Sequence, residues 1–141
     1  MNLSRNIIIL ALITVLPSSG NAFCFDEAGY RYGLDPILLK GIAQVESRMN
    51  PYAVGKNNDG SYDYGLMQIN TSWAPKLKRL GITWESISDP CTNVMVGAWI
   101  LRQKVQRHGY NWKGIAAYHS ATPSLNAIYA NKLAREIRNL N

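Results

Sequence analysis

The sequence has few of the groups from which metal sites and covalent catalytic centres are usually built. Of its 141 residues, two are cysteines and two are histidines, and no cluster of side chains has the spacing of a metal site. We find no glycine-rich phosphate loop, no nucleophile triad, no internal repeat and no low-complexity tract. We therefore predict that the protein carries neither a metal nor another cofactor.

Long apolar runs are also missing, apart from one in the first two dozen residues. There, Arg5 is followed by an apolar run over residues 7–16 and then by small and polar residues up to Ala22. This is the order of the n-region, h-region and cleavage site in a secretory signal peptide. A run of about 10 apolar residues is short of the roughly 20 that a spanning helix needs, which argues against the alternative of a membrane anchor. We expect a signal peptide over residues 1–22, cleavage after Ala22 and no stable membrane anchor afterwards.

Residues 23–141 have the size of one small domain. Apolar residues make up 47% of the whole chain, which is ordinary for a protein with a packed core. Cys24 and Cys91 are the two cysteines, and in an exported chain we expect them to form one disulfide rather than two buried thiols. The formal net charge of +6 suits an anionic polymer. Outside the cytoplasm, nucleic acid is the poorest candidate for that polymer, and a cell wall or membrane surface is a better one.

Helical signals dominate this domain. Asp35-Pro36 places a capping residue before a proline at the first helical position, and apolar residues at helical spacing follow as far as Val45. Pro51 disfavours helix at the residue before it, so this helix is predicted to end between Ser47 and Asn50.

Four more helices are predicted from apolar periodicity, over residues 73–80, 92–107, 115–118 and 125–140. Residues 52–64 are instead rich in Gly, Asn, Asp and Tyr, and their turn signal Asn58-Asp59-Gly60 favours a short hairpin. The sequence thus predicts a mainly α, α+β domain with a small β-hairpin after the first long helix and no other β structure.

Glu46 lies in the last turn of the first predicted helix, beside the apolar Val45. A glutamate on a helix is usually a solvated charge, but Asp63 follows 17 residues later within the predicted hairpin. If the hairpin folds back, the two carboxyl groups face each other across a cleft, as is common in glycoside hydrolysis. The carboxyl beside apolar groups stays protonated and can protonate a leaving oxygen, whereas the one in a polar loop stays ionised. We predict Glu46 as the catalytic acid and Asp63 as its ionised partner.

Three short motifs resemble those of one enzyme family. Val45-Glu46-Ser47, then Tyr64-Gly65-Leu66-Met67-Gln68-Ile69-Asn70, then Ala117-Tyr118 have the order and spacing of lytic transglycosylases with the lysozyme-like fold. The resemblance runs from about Cys24 to Ile137. The small size, the cysteine positions and Asp89-Pro90-Cys91 resemble the specialised members that accompany type III secretion, type IV secretion and pilus assembly.

The resemblance implies a role for each matching residue. Glu46 is implied to protonate the oxygen between N-acetylmuramic acid and N-acetylglucosamine. It would then deprotonate the muramic C6 hydroxyl, so that a 1,6-anhydro ring closes without water. Ser47 is implied to orient the substrate, Gln68 to line the sugar-binding groove, and Tyr118 to hold the acid by a hydrogen bond.

The third motif departs from the family's usual Ala-Tyr-Asn-Ala-Gly and is here Ala117-Tyr118-His119-Ser120-Ala121. His119 takes the place of the asparagine, and the glycine is missing. Tyr118 is retained, but the shape of the loop beyond it is put in doubt. Trp73, Trp84 and Trp112 are candidates for stacking on sugar rings, although tryptophans in small domains are mostly core residues.

The leading hypothesis is a periplasmic, monomeric lytic transglycosylase that acts on peptidoglycan strands and opens the wall for a secretion, conjugation or pilus apparatus. The nearest alternative is a lysozyme-type hydrolase using Glu46, Asp63 and water, since residues 46–70 also resemble animal-type lysozymes. A third is a non-catalytic wall-binding assembly factor, against which the intact Glu46, Gln68 and Tyr118 argue. Nucleic acid is not an expected partner in any of these hypotheses.

Overall fold

The computed structural model describes residues 23–120 and 122–141, so the predicted signal peptide over residues 1–22 lies outside the described residues. Six α-helices and three short strands form the described part of the chain. The helices are α1 Phe25–Tyr32, α2 Pro36–Ser47, α3 Ala74–Arg79, α4 Pro90–His108, α5 Trp112–Ala116 and α6 Pro123–Leu140. The strands are β1 Val54–Lys56, β2 Tyr62–Tyr64 and β3 Ile69–Asn70, and 3₁₀ turns cover Thr71–Trp73 and Glu85–Ser88. The predicted mainly α, α+β class is confirmed.

Helix α2 begins where the sequence predicts. The Asp35 side chain accepts a hydrogen bond of 2.8 Å from the Ile37 amide, and Pro36 occupies the first helical position, which needs no amide donor. One face of the helix is buried, including Leu39 and Ile42 with no exposed surface. The helix is therefore fixed against the core along its length.

The end of α2 also falls in the predicted interval. The helix stops at Ser47 because Arg48 and Met49 adopt left-handed backbone conformations, with φ of 54° and 62°. The Met49 amide donates to the Ala43 carbonyl over 3.3 Å and so satisfies one of the last free carbonyls. Glu46 is thereby held in the final turn, where the chain leaves toward the sheet.

Helix α1 is not predicted by the sequence pattern, and the disulfide accounts for its position. Cys24 precedes its first residue, and the predicted bond to Cys91 is present, with the two Cα atoms 5.2 Å apart. The bond fastens the start of α1 to the start of α4 across 67 residues. The chain-entropy model gives such a link roughly 4 kcal/mol of stabilisation.

Helices α3, α4 and α6 overlap their predicted segments, whereas α5 is displaced. It covers Trp112–Ala116 rather than residues 115–118, because the Asn111 side chain caps it by accepting from the Gly114 amide over 3.1 Å. None of the helices in the described part of the chain has the length and apolarity needed to cross a bilayer.

The three strands form one antiparallel sheet in the order β1-β2-β3. The register places Asp63 of β2 opposite Gly55 on one side and Asn70 on the other. The predicted hairpin is therefore confirmed, but the expectation of no other β structure is wrong, because Ile69–Asn70 pairs with β2 as a third strand. A two-residue strand is too short to leave an alternating pattern in the sequence.

The core lies between the helices and the segment that leads into β3. Helix α4 passes close to that segment at Gly97, where an added Cβ would lie 2.7 Å from the Met67 side chain. Since Gly97 permits this approach, residues 64–70 are packed directly onto α4. The largest fully buried apolar side chains are Leu39, Ile42, Leu66, Met67, Ile69, Leu77, Ile87, Val94, Leu101 and Leu133.

Candidate active site

A cleft of about 580 Å³ separates the end of α2 from the sheet. It contains both predicted carboxyl groups, Glu46 from the helical wall and Asp63 from the sheet wall. The segment after α5 closes one side through Tyr118 and His119. The other lining residues are Asn57, Asn58, Asp59, Ser61, Gln68, Ile69, Asn70, Trp73 and Ile100.

Glu46 is nearly enclosed, with a side chain that is 14% exposed. Its Oε1 atom is buried and has no hydrogen-bond partner. Burial raises the pKa of Glu46 from 4.5 to about 7, and the negative charge of Asp63 adds to the rise, while the Tyr129 hydroxyl and the Lys132 ammonium oppose it. This carboxyl group therefore holds its proton close to neutral pH.

Asp63 lies in a different environment on the sheet wall. Its Oδ1 accepts a hydrogen bond of 2.8 Å from the Asn70 amide, and its Oδ2 accepts one of 2.9 Å from the Asn57 amide. The antiparallel register brings Asn70 beside it, and Ser61 links the two amides, accepting from both over 2.9 and 3.1 Å. The group is thus an ordered carboxylate whose oxygens both face donors.

Gln68 lies in the cleft wall in a left-handed conformation, with φ of 48°. Its side-chain nitrogen donates to the carbonyls of Gly65 and Ala53, over 2.9 and 3.2 Å. The amide nitrogen therefore ties the turn before β3 to the turn before β1.

Tyr118 lines the cleft, but its hydroxyl does not bond to Glu46 as the resemblance implies. It donates instead to the Met67 carbonyl over 2.7 Å. Burial raises the pKa of this hydroxyl well above its usual value, and the charges of Glu46 and Asp63 raise it further. Tyr118 thus joins the segment after α5 to the turn before β3, close to both carboxyl groups.

Ser47 is the predicted site residue that the structure does not place in the cleft lining. Its hydroxyl donates back along α2 to the Ala43 carbonyl over 3.0 Å. Such a bond is common for serine near a helix end and satisfies the hydroxyl within the helix.

Tyr129 is a residue of this site that the sequence does not reveal. It projects from α6, is 4% exposed, and its hydroxyl is buried near Glu46 without a hydrogen-bond partner in standard geometry. Even so, the Tyr129 hydroxyl lowers the pKa of Glu46 and thus favours its ionised form. In the sequence Tyr129 stands four residues before Leu133 on an apolar stripe, so it looks like an ordinary core residue.

Asn93 is a second unpredicted contributor. It is 1% exposed on α4; its Oδ1 accepts from the Met67 amide over 2.8 Å, and its Nδ2 donates to the carbonyls of Tyr64 and Ile87 over 2.9 and 3.1 Å. Gly65, with φ of 76°, leaves the space that the Asn93 amide fills. The signal available in the sequence is an asparagine beside the apolar stripe of α4.

The three candidate tryptophans have different surroundings. Trp73 lines the cleft and meets Trp99 edge to face, with ring centroids 5.6 Å apart. Trp84 packs against Tyr64, and Trp112 is 48% exposed on α5. Only Trp73 of the three is placed to meet a ligand in the cleft.

Metal-binding side chains come together at one place in the described part of the chain, where Cys24, Glu27 and Cys91 lie within reach of one another. The two sulfurs form the disulfide, so this group does not offer thiolate ligands. The polar groups that line the cleft itself are carboxyl, amide, hydroxyl and imidazole groups.

The fold and the cleft together define a small glycosidase-type domain, in which a buried protonated carboxyl faces an ordered carboxylate. Residues 23–141 match the family described as the transglycosylase SLT domain. The chain belongs to this family of lytic transglycosylase-type, peptidoglycan-cleaving domains with the lysozyme-like fold, which confirms the predicted family.

Three relatives show how far the similarity extends. Protein IpgF of Shigella sonnei is 40% identical over 115 residues, which cover 81% of this chain and 76% of IpgF. Invasion protein IagB of Salmonella typhimurium is 39% identical over 132 residues, which cover 93% of this chain and 81% of IagB. A peptidoglycan-binding-like protein of Escherichia coli O157:H7 is 36% identical over 122 residues, covering 81% of this chain and 73% of that protein.

Proposed function

We propose that this protein is a lytic transglycosylase that cuts the β-1,4 bond between N-acetylmuramic acid and N-acetylglucosamine and leaves 1,6-anhydro-muramic ends. The observation that carries the proposal is the environment of Glu46, a cleft carboxyl that burial keeps protonated near neutral pH. A general acid works best when its pKa lies near the operating pH.

The reaction proceeds in two proton transfers through the same carboxyl group. Protonated Glu46 gives its proton to the glycosidic oxygen, the C1–O bond breaks, and positive charge develops on the muramic ring. The Glu46 carboxylate then takes the proton of the C6 hydroxyl, whose oxygen bonds to C1 and closes the anhydro ring. Glu46 is protonated again at the end, and no water is consumed. A pKa near 7 suits both steps, because neither protonation state is strongly favoured.

Asp63 supplies negative charge on the opposite wall while the ring is cationic. Its two amide donors hold it in one orientation, which is the preorganisation that electrostatic stabilisation requires. The same geometry supports a second candidate, a lysozyme-type hydrolase in which Asp63 attacks C1 or directs water to it. Gln68 and Tyr118, which line the cleft, are proposed to contact the glycan, and Ser47 to orient it from the end of α2.

The wider setting of the activity is also a proposal. We take residues 1–22 as a signal peptide and residues 23–141 as one monomeric domain that acts in the periplasm. The disulfide fits an exported protein, and the domain stays basic without Arg5 of the signal peptide, which contributes one unit to the net charge of +6, as suits a protein that meets an anionic wall. A role in opening the wall for a secretion, conjugation or pilus apparatus is supported by the relative named invasion protein IagB.

Digestion of purified peptidoglycan, followed by mass spectrometry and a zymogram, tests the proposal. The wild-type protein is expected to release 1,6-anhydro-muramic products, and Glu46→Gln to lose activity by about 10²–10⁴-fold, the usual contribution of a general acid. Glu85→Gln, which changes an exposed glutamate of the second 3₁₀ turn, is the matched control and should keep wild-type activity.

The products separate the two candidate functions. Reducing muramic ends without anhydro products would establish the hydrolase instead, and Asp63→Asn should then abolish cleavage. Full wall-degrading activity in Glu46→Gln would exclude both mechanisms.

A further inference from the structure

His119 is the residue at which the third motif departs from the family pattern, and the structure places it against the catalytic carboxyl. Its Nδ1 lies 4.0 Å from the buried Oε1 of Glu46. Its ring stacks on Tyr129, with centroids 4.8 Å apart and the ring planes 2° from parallel. The stacking fixes the plane of the imidazole, so that the ring edge carrying Nδ1 faces Glu46.

Glu46 needs a partner that can serve both of its protonation states. As an acid it requires a hydrogen-bond acceptor, and as a carboxylate it requires a donor. The ammonium of Lys132, on α6, can only donate, and a carboxylate at Asp63 of β2 can only accept. The Tyr118 hydroxyl already donates a hydrogen bond to the Met67 carbonyl. The Tyr129 hydroxyl can also donate and accept, but it is buried away from solvent, whereas the His119 ring is half exposed.

A neutral imidazole meets both requirements, because its Nδ1 accepts in one tautomer and donates in the other. The His119 side chain is 48% exposed, so its ring is in contact with solvent. When one ring nitrogen takes up a proton from solvent, the second ring nitrogen releases its own. The tautomer changes, and the net charge of the ring stays zero.

We propose that His119 is a positioning residue for Glu46, accepting a hydrogen bond from the carboxylic acid before its proton turns to the glycosidic oxygen, and donating one to the carboxylate after that proton has been transferred. The proposal rests on the acid/base role of Glu46 given above. The present separation of 4.0 Å is longer than a hydrogen bond by about 1 Å. Catalytic hydrogen bonds are often long in unliganded enzymes and tighten when substrate binds.

The charges around the pair favour a neutral ring. Partial burial, followed by the ammonium of Lys132, lowers the pKa of His119, and only Asp63 opposes the fall. Tyr129 and Tyr118 add no charge, since burial raises the pKa of each hydroxyl well above its usual value. The imidazole is therefore in the form that can either accept or donate when Glu46 exchanges its proton near neutral pH.

Two substitutions distinguish the contribution of the His119 Nδ1 atom from that of the aromatic ring. His119→Phe keeps an aromatic ring to stack on Tyr129 but removes Nδ1, whereas His119→Asn keeps a polar group near the Nδ1 position but removes the ring. We expect His119→Phe to lower kcat on peptidoglycan about tenfold, within the range of a lost hydrogen bond to a charged group, with KM changed less than about twofold. His119→Asn should recover most of the lost rate.

The pH profile provides a measurement that a purely structural role would not change. Loss of the donor destabilises the Glu46 carboxylate more than loss of the acceptor destabilises the acid, because charge-assisted hydrogen bonds are stronger. The alkaline limb of the kcat profile should therefore move upward by roughly half a pH unit in His119→Phe and less in His119→Asn. Carbon-13 NMR titration of the Glu46 carboxyl with an uncleaved glycan fragment bound should show the same upward movement of its pKa.

The outcomes distinguish this proposal from the proposed function. Wild-type kcat and an unmoved Glu46 titration in His119→Phe would overturn the role of His119 and leave the role of Glu46 intact. Equal losses in the Phe and Asn variants with an unmoved alkaline limb would also overturn it, since they would indicate a steric effect. Activity retained in Glu46→Gln would instead remove the function on which the proposal rests.

Discussion

The two walls of the cleft treat the same chemical group in opposite ways. On the helical wall, Oε1 of Glu46 is buried without a hydrogen-bond partner. On the sheet wall, each oxygen of Asp63 accepts a hydrogen bond from an asparagine amide. The comparison teaches that burial of a carboxyl whose Oε1 has no hydrogen-bond partner raises the pKa of Glu46, whereas the two asparagine amides hold the Asp63 carboxyl in one orientation.

The difference arises from the secondary structure of each wall. In the last turn of α2, the helix holds Glu46 against buried groups of the core and of α6, and this burial is the main cause of its raised pKa. In the sheet, the antiparallel register sets Asn70 directly opposite Asp63, so a strand pair supplies the donor. A helix end and a strand pair thus produce the acid and its partner from short segments of one chain.

Breaking the attachment between the sheet wall and the helices should give the largest effect. Asn93→Ala removes three hydrogen bonds to the backbone, two of them buried, at Met67, Tyr64 and Ile87. We expect the free energy of unfolding to fall by about 3 kcal/mol, because the buried Met67 amide and Ile87 carbonyl and the partly buried Tyr64 carbonyl each lose a hydrogen bond. Urea denaturation of the purified domain measures this loss.

Asn131→Ala on the exposed surface of α6 is the matched control and should change stability by less than about 0.5 kcal/mol. A loss in Asn93→Ala no larger than that of the control would show that the sheet wall is held by apolar packing around Met67 rather than by Asn93.

Because burial of the Glu46 carboxylate destabilises the folded state, Glu46→Gln should be more stable than wild type by an amount that depends on pH. The folded-state pKa of Glu46, about 7, lies above the ordinary value of 4.5. The folded state therefore binds more protons in that interval, and wild-type stability falls as pH rises through it. Glutamine has no proton to lose, so the variant should be more stable than wild type by about 1–3 kcal/mol at pH 8 and by much less at pH 4.5.

Thermal or urea unfolding at the two pH values checks the sign, with Glu85→Gln as the exposed control. A gain that is the same at both pH values would mean that it comes from the shape of the glutamine side chain and not from the buried charge.

The sequence predicts the parts of this site that depend on local signals. Asp35 and Pro36 mark the start of α2, Pro51 limits its end, and the turn residues after it predict the hairpin that brings Asp63 opposite Glu46. Each of these signals acts within a few residues, so the pattern alone is sufficient.

The remaining features depend on contacts between distant segments, and for that reason the sequence does not predict them. Tyr129 reaches Glu46 because α6 packs on α2, and its position on an apolar stripe has the same appearance as a core tyrosine. Tyr118 is recognised from its motif, but its bond to Met67 rather than to Glu46 depends on the fold of the turn before β3. Helix α1 is short, and the disulfide rather than its own periodicity sets its position.

The smallest expected effect comes from the Tyr129 hydroxyl, which partly opposes the rise in the pKa of Glu46 that burial causes. Tyr129→Phe removes that hydroxyl and keeps the ring against His119. The hydroxyl holds the pKa of Glu46 lower than burial alone would, so the variant should raise this pKa and move the alkaline limb of activity upward. We expect a loss of about threefold to tenfold in kcat, equivalent to roughly 1 kcal/mol, measured by release of soluble muropeptides across pH.

Tyr30→Phe provides the control, since Tyr30 is 93% exposed on α1 and its hydroxyl should contribute nothing to the profile. The direction of the movement in Tyr129→Phe decides how the hydroxyl acts. An upward shift means that it donates to the carboxylate and supports the base step. A downward shift would mean that it accepts from the acid and holds the proton in place before cleavage. In that case the helical wall would stabilise protonated Glu46 both by burial and by a hydrogen-bond acceptor, whereas the sheet wall offers Asp63 only donors among its described side-chain partners.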